Sequence, residues 1–144
     1  MKFIFTDKVM FNSTDKTVNR PVRATDGSAG HDFFLPEETT IQPKQCVVVD
    51  SKITAKIPVG FVTTLHPRSS IGIKKHLMLA NTTGVIDSDY TETIKIALYN
   101  YGNEPVTLEK GERVMQAITV PYIVSTDSAI VSKRNGGIGS TGRK

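Results

Sequence analysis

The stretch Thr40-Ile41-Gln42-Pro43-Lys44-Gln45-Cys46-Val47-Val48-Val49-Asp50-Ser51-Lys52-Ile53-Thr54-Ala55-Lys56-Ile57-Pro58-Val59-Gly60-Phe61-Val62-Thr63-Thr64-Leu65-His66-Pro67 decides the fold class. Thr40 to Asp50 and Ser51 to Ile57 read as extended chain, rich in β-branched residues. Pro58-Val59-Gly60 breaks the run, Phe61 to His66 resumes it, and Pro67 stops it again. A helix of this length would not be punctuated so often, nor built from residues whose χ1 is crowded on a helix surface.

The same rhythm extends outward in both directions. Lys2 to Phe11 reads as a first strand. Ala24 to Gly30 is a glycine-containing loop, and His31 to Leu35 is extended up to Pro36. Ile94 to Tyr99 alternates until the turn at Asn100-Tyr101-Gly102-Asn103. Val106 to Leu108 and Arg113 to Val120 follow. The one segment that suits a short helix is Ser70 to His76. Val, Ile and Thr together number 44, against 13 for Leu and Ala. The expected architecture is all-β, a sandwich or barrel of many short strands.

The chain has 144 residues and a mass of 15.8 kDa, the size of one domain. The expected division is a β domain over residues 1–131 and an arm over 132–144. The arm holds Gly136, Gly137, Gly139 and Gly142 with one apolar residue, Ile138, and is expected to be mobile alone. No window has the apolar length of a membrane helix, and the charged start, Met1 to Lys8, does not resemble a secretory signal. A single cysteine, Cys46, excludes an internal disulfide and a cysteine zinc cluster. A cytoplasmic location is expected, or host cytoplasm or nucleus for a viral chain. The net charge of +4 and pI of 9.2 suggest an anionic partner, with small-molecule phosphate as suitable as nucleic acid.

Five polar clusters interrupt the strands. In Ala29-Gly30-His31-Asp32, Asp32 points into a cleft or is solvated on a turn. In Pro67-Arg68-Ser69-Ser70, a guanidinium, two hydroxyls and helical N–H groups would suit phosphate, or the serines simply cap a helix. Within Asn81 to Tyr90, Asp87 follows an apolar pair where a strand surfaces. It can accept a proton from a held water, or it belongs to an acidic hairpin loop with Tyr90 packed beneath. In Lys110 to Gln116, Gln116 and Ile118 both face inward if the strand is regular. Arg134 to Arg143 brings backbone amides and cations together, as a phosphate grip or as a plain tail. Its glycines do not form a P-loop. His31, His66 and His76 lack metal-ligand spacing, and Cys46 reads as a core residue.

Taken in order, the five clusters resemble the trimeric dUTPases. The motifs are Ser28 to Phe33, Pro67 to Gly72, Asn81 to Tyr90, Lys110 to Gln116 and Arg134 to Gly142. The resemblance implies a jelly-roll-like β fold, a homotrimer with active sites shared between subunits, and Mg²⁺-assisted hydrolysis of dUTP to dUMP and pyrophosphate. That reaction limits uracil incorporation into DNA and supplies dUMP for dTMP synthesis. No membrane and no stable nucleic-acid partner is implied.

The resemblance also assigns roles. Asp87 is the implied base for the attacking water, and Asp32 steadies the water network around Mg²⁺, which triphosphate oxygens and waters hold without a direct protein ligand. Arg68, Ser69, Ser70 and Gln116 bind phosphates, with Gln116 also polarising them. Asn81, Gly84, Val85 and Ile86 read the uracil edge. Tyr90 packs under the deoxyribose, and Ile138 covers the base. Arg134, Ser140 and Thr141 close on the γ-phosphate, from an arm lent by a neighbouring subunit. Two positions depart from the family pattern: Thr91-Glu92-Thr93 stands where x-Gly-Glu is usual, and Ile138 where Phe is usual. Alternatives are a dCTP deaminase-like enzyme of the same fold, a catalytically weakened nucleotide-binding regulatory protein, or a basic β-sandwich that binds nucleic acid.

Overall fold

Turn chemistry sets where each strand ends. The computed structural model describes residues 8–127, 130, 133, 134 and 136–138, and contains eleven short strands and one five-residue helix among them. The strands are β1 (Met10–Ser13), β2 (His31–Phe34), β3 (Thr39–Ile41), β4 (Cys46–Asp50), β5 (Ile53–Lys56) and β6 (Phe61–Pro67). After α1 (Ser69–Ile73) come β7 (Leu77–Leu79), β8 (Gly84–Ile86), β9 (Lys95–Asn100), β10 (Val106–Leu108) and β11 (Arg113–Pro121).

Four antiparallel sheets wrap one core in a jelly-roll-like arrangement. β11 lies between β2 and β6, with β8 beyond β6. β9 lies between β4 and β7, while β1 pairs with β5 and β3 with β10. Phe33, Leu35, Ile41, Ile53, Leu77, Ile94, Ile96, Leu98, Leu108 and Met115 fill the interior, and Ile71 plugs α1 into it. The alternation Ile94, Ile96, Leu98, Asn100 on the inner face of β9 is the period of a half-buried strand. Asn100 ends that row buried, with its amide nitrogen donating to the carbonyls of Ile41 (3.0 Å) and Glu104 (2.8 Å).

Several expectations need correction. Among the described residues the first strand is Met10–Ser13, which runs past the expected end at Phe11 because its pairing with Ile53–Lys56 continues until a turn closes at Asp15. Residues 2–7 of the expected strand lie outside the described residues. The extended run Thr40 to Asp50 is two strands. Lys44 adopts φ 60° after Pro43, and Gln45 N–H closes the turn on the Gln42 carbonyl at 3.1 Å, so the halves join different sheets. The helix spans Ser69–Ile73, starting one residue before the expected Ser70 and ending three residues before His76, whose φ of 55° is incompatible with its continuation.

Cys46 is exposed rather than in the core. It sits opposite Tyr99 on the outer row of β4, while Val49 takes the inner row. Gln116 and Ile118 also face away from the core. The register of β11 against β2 shifts between Arg113 and Met115, so Val114 and Met115 are buried in succession and the alternation beyond them is reset. Ala117 then points inward and Gln116 outward, into a cleft.

Candidate active site

The outward face of β2 and β11 forms the floor of the first cleft. Gln116 stands directly opposite Asp32 on one side and opposite His66 of β6 on the other. The cleft, of about 270 Å³, is lined by Ser28, Gly30, Asp32, Arg68, Ser69 and Gln116, with Ala24, Ala29 and Ile118. Gly30 is there for space: a Cβ at this position would collide with Gln116 Oε1.

Asp32 is nearly buried and is held by two guanidinium groups. Arg68 Nε lies 3.2 Å and an Arg113 terminal nitrogen 3.3 Å from the same oxygen, Oδ2. Arg68 also reaches the Arg113 carbonyl at 3.4 Å, which ties the start of α1 to β11. No buried side-chain nitrogen or oxygen lacks a partner among the described residues. Asp32 Oδ1, which has no hydrogen bond there, is therefore turned to solvent at the cleft.

The second cleft, about 240 Å³, lies along β8. Asn81, Gly84, Val85, Ile86, Asp87 and Tyr90 line it, together with Leu65, Lys95, Ala97, Arg134, Gly137 and Ile138. Gly84 lets β8 lie against Leu65, whose side chain would be 2.8 Å from a Cβ there. Arg134 bridges two exposed carboxylates: its Nε donates to Asp89 at 2.7 Å and a terminal nitrogen to Asp87. Its guanidinium also sits 5.8 Å from the Tyr90 ring centre. The hydrogen bond to Asp89, opposed by slight desolvation and helped by both negative charges, holds the Arg134 guanidinium still more firmly protonated than usual. Burial raises the Tyr90 phenol above its ordinary range, and the Glu92 carboxylate adds to this.

The residues expected at the site thus fall into two groups that do not share a cleft. Asp32, Arg68, Ser69 and Gln116 gather in one, while Asn81, Gly84, Val85, Ile86, Asp87, Tyr90, Arg134 and Ile138 gather in the other. Ser70 lines neither; its carbonyl accepts the Lys74 N–H at 3.1 Å. Ser140 and Thr141 lie outside the described residues. Two residues stand out only in the folded chain: Arg113 and Lys95 look like ordinary solvated cations when read along the sequence. Glu92, in the segment that departs from the family pattern, packs against the Gly137 backbone.

These features define an all-β protein with a guanidinium-lined polar cleft and a separate β-hairpin pocket. A family model described as dUTPase matches residues 9–142. The deoxyuridine 5'-triphosphate nucleotidohydrolase of Escherichia phage T5 is 44% identical over 110 residues, covering 72% of this chain and 74% of the phage protein. That of Hahella chejuensis is 35% identical, with all of both chains aligned. The crystal structure of the dUTPase from Streptococcus mutans superposes with a TM-score of 0.73 at 35% identity, covering 80% of this chain and 97% of that one. The chain belongs to the dUTPase family.

Proposed function

We propose that this chain is a dUTP diphosphatase, hydrolysing dUTP to dUMP and pyrophosphate by attack of water on the α-phosphorus. Family membership over residues 9–142 supports the activity. The observation that carries the mechanism is the division of the site into two clefts on one chain. One offers a guanidinium, a hydroxyl and an amide to phosphates, the other a shaped pocket to a base and sugar.

In this reading Asp87, at the end of β8, orients the attacking water and takes its proton. Arg68, Ser69 and Gln116 bind the phosphate chain, with hydrogen bonds that strengthen as charge develops on the phosphate oxygens. Ser70 stands behind Ser69 at the start of α1. Asn81 and the β8 backbone from Gly84 to Ile86 read the uracil edge; cytosine presents a donor where uracil presents an acceptor, so a fixed hairpin rejects it. Tyr90 is the wall under the deoxyribose that leaves no room for a 2′-hydroxyl. Arg134, with Ser140 and Thr141, moves to the γ-phosphate, whose charge density exceeds that of the exposed Asp87 and Asp89.

The residues fit a magnesium ion that arrives with the triphosphate. Asp32 Oδ2 is committed to Arg68 and Arg113, which leaves Oδ1 to accept a hydrogen bond from an ion-bound water. When bound, Mg²⁺ supplies charge neutralisation across the phosphate oxygens.

We place three copies around shared sites, so that the polar cleft of one subunit meets the hairpin pocket of a second and the arm of a third. The exposed apolar residues Tyr122, Ile123 and Val124, where the chain leaves β11 towards the arm, support burial against another copy. The described helices include none long and apolar enough to cross a membrane. A single exposed thiol, Cys46, suits a reducing cytoplasm. The deciding experiment is pyrophosphate release from dUTP with Mg²⁺, beside dCTP, dTTP and UTP, with sedimentation of the same sample. Rapid release from dUTP alone by a trimer is expected. Equal turnover of dCTP or UTP, or full activity in a monomer, overturns the reading.

A further inference from the structure

Between Asp87 and Lys95 the chain leaves the sheet, and Tyr90 is carried on this irregular segment rather than on a strand. Its backbone N–H bonds to the Asp87 carbonyl at 3.1 Å, which fixes the turn but not the ring. The ring is fixed at its far end: Tyr90 Oη donates to the Thr93 carbonyl at 3.0 Å. Thr93 is tied down in turn. Its hydroxyl donates to Asp50 Oδ2 at 3.0 Å and accepts from Lys95 Nζ at 2.8 Å, while Lys95 Nζ also donates to Asp50 Oδ2 at 2.9 Å. Asp50 and Lys95 face each other directly across the β4–β9 ladder, so this corner rests on two paired strands. Asp50 Oδ1 is occupied as well, accepting the Lys52 N–H at 2.8 Å.

We infer that Thr93, Asp50 and Lys95 are positioning residues that brace the Tyr90 ring and thereby set discrimination between 2′-deoxyribose and ribose. This rests on the reading of Tyr90 as the sugar wall. A wall excludes a hydroxyl only as well as it resists displacement. A ring free to tilt by a fraction of an ångström admits the extra oxygen. The Thr93 hydroxyl joins the segment to a charged pair, and hydrogen bonds to charged groups are the stronger kind. Lys95 also lines the hairpin pocket, so the brace lies beside the ring it supports. The neighbouring Ile94 is held independently, with its N–H on the Ile53 carbonyl at 2.8 Å and its carbonyl accepting from Ser51 at 3.0 Å. Loss of the Thr93 hydroxyl therefore loosens the ring without releasing the segment from the sheet.

The test compares kcat/KM for dUTP and UTP in Thr93→Val, Thr93→Ser, Lys95→Met and Tyr90→Ala. Thr93→Val keeps the shape and removes the hydroxyl. The dUTP-to-UTP ratio is expected to fall by about three- to tenfold, less than the full worth of a hydrogen bond to a charged group because Tyr90 keeps its bond to the Thr93 carbonyl, and through a gain on UTP. Thr93→Ser restores the parent ratio, and Lys95→Met lowers it in the same direction. General damage to the fold would lower both substrates together and leave the ratio in place. A ratio within twofold of the parent in Thr93→Val, or a parallel loss on both substrates, overturns the brace. If Thr93→Val does not fold, the same criteria apply to Lys95→Met. Tyr90→Ala separates the two ideas: an unchanged ratio there removes the sugar-wall reading, whereas a collapsed ratio there with an unchanged one in Thr93→Val removes the brace alone.

Discussion

Gln116 and Asp32 stand directly opposite each other across the β2–β11 ladder, two residues past the bulge at Val114. A strand side chain changes face with every residue, so a one-residue slip would send Gln116 into the core and Ala117 into the cleft. The bulge places an amide beside a carboxylate already committed to Arg68 and Arg113. It does so on a floor of paired strands rather than on a mobile loop.

Gly30 packs against that amide, and a Cβ there would meet Gln116 Oε1. The far end of a Gln side chain can swing away at little cost to folding, but it then leaves the cleft. Gly30→Ala is expected to keep a thermal midpoint close to the parent's while lowering kcat/KM for dUTP by about tenfold or more, the scale of one lost charge-stabilising contact. Calorimetry and steady-state kinetics on the same preparation check this; unchanged kinetics would mean Gln116 is not used.

Asp87→Asn retains the shape of the side chain and removes its basicity. Turnover is expected to fall by about 10²–10⁴-fold, the usual worth of a positioned general base. Binding of a non-hydrolysable dUTP analogue should persist. Single-turnover rates and analogue titration separate the two effects, and activity within a few-fold of the parent would place the base elsewhere.

Asp50 gives a pH signature. Burial raises its pKa, but hydrogen bonds from Lys95, the Lys52 backbone and Thr93 outweigh this and hold it at about 2, below the ordinary 3.8. A carboxyl whose folded pKa is depressed contributes stability that is complete above the unfolded value and lost as pH falls through the folded one. The window is therefore pH 4 to 2. The side chain is about one-third exposed, so solvent screening limits the effect to less than about 1 kcal/mol. Thermal midpoints from pH 5 to pH 2 should fall less steeply in Asp50→Asn than in the parent; parallel curves would contradict the assignment.

Ile138 lines the hairpin pocket while remaining largely exposed. The chain has no tryptophan, so Ile138→Trp introduces one indole reporter. Its fluorescence is expected to shift when a non-hydrolysable dUTP analogue and Mg²⁺ are added, and to shift much less with dUMP, which lacks the γ-phosphate assigned to Arg134. A variant that hydrolyses dUTP without a shift would show that position 138 does not close on the base.

Much of the fold is legible in local chemistry. The β-branched run from Val47 to Val62, interrupted at Pro58 and Gly60, dictates short strands, and Pro36 and Pro67 end two of them. The order of the five motifs is likewise a property of the chain alone, and it carried the family. What the chain could not disclose is which face each residue presents. Cys46 and Gln116 were misread for one reason. Side-chain direction in a strand depends on register, register depends on the partner strand, and at Val114 a bulge resets it. The hydrogen bond from Lys95 to Asp50 spans 45 residues and the one from Arg113 to Asp32 spans 81. No local pattern announces such pairs, because in sequence each cation is indistinguishable from a solvated one. Only the folded sheets bring them together. The same physics divides the site into two clefts, since β2, β11 and the start of α1 bring the phosphate-binding candidates together while β8 and the segment after it carry the hairpin pocket elsewhere.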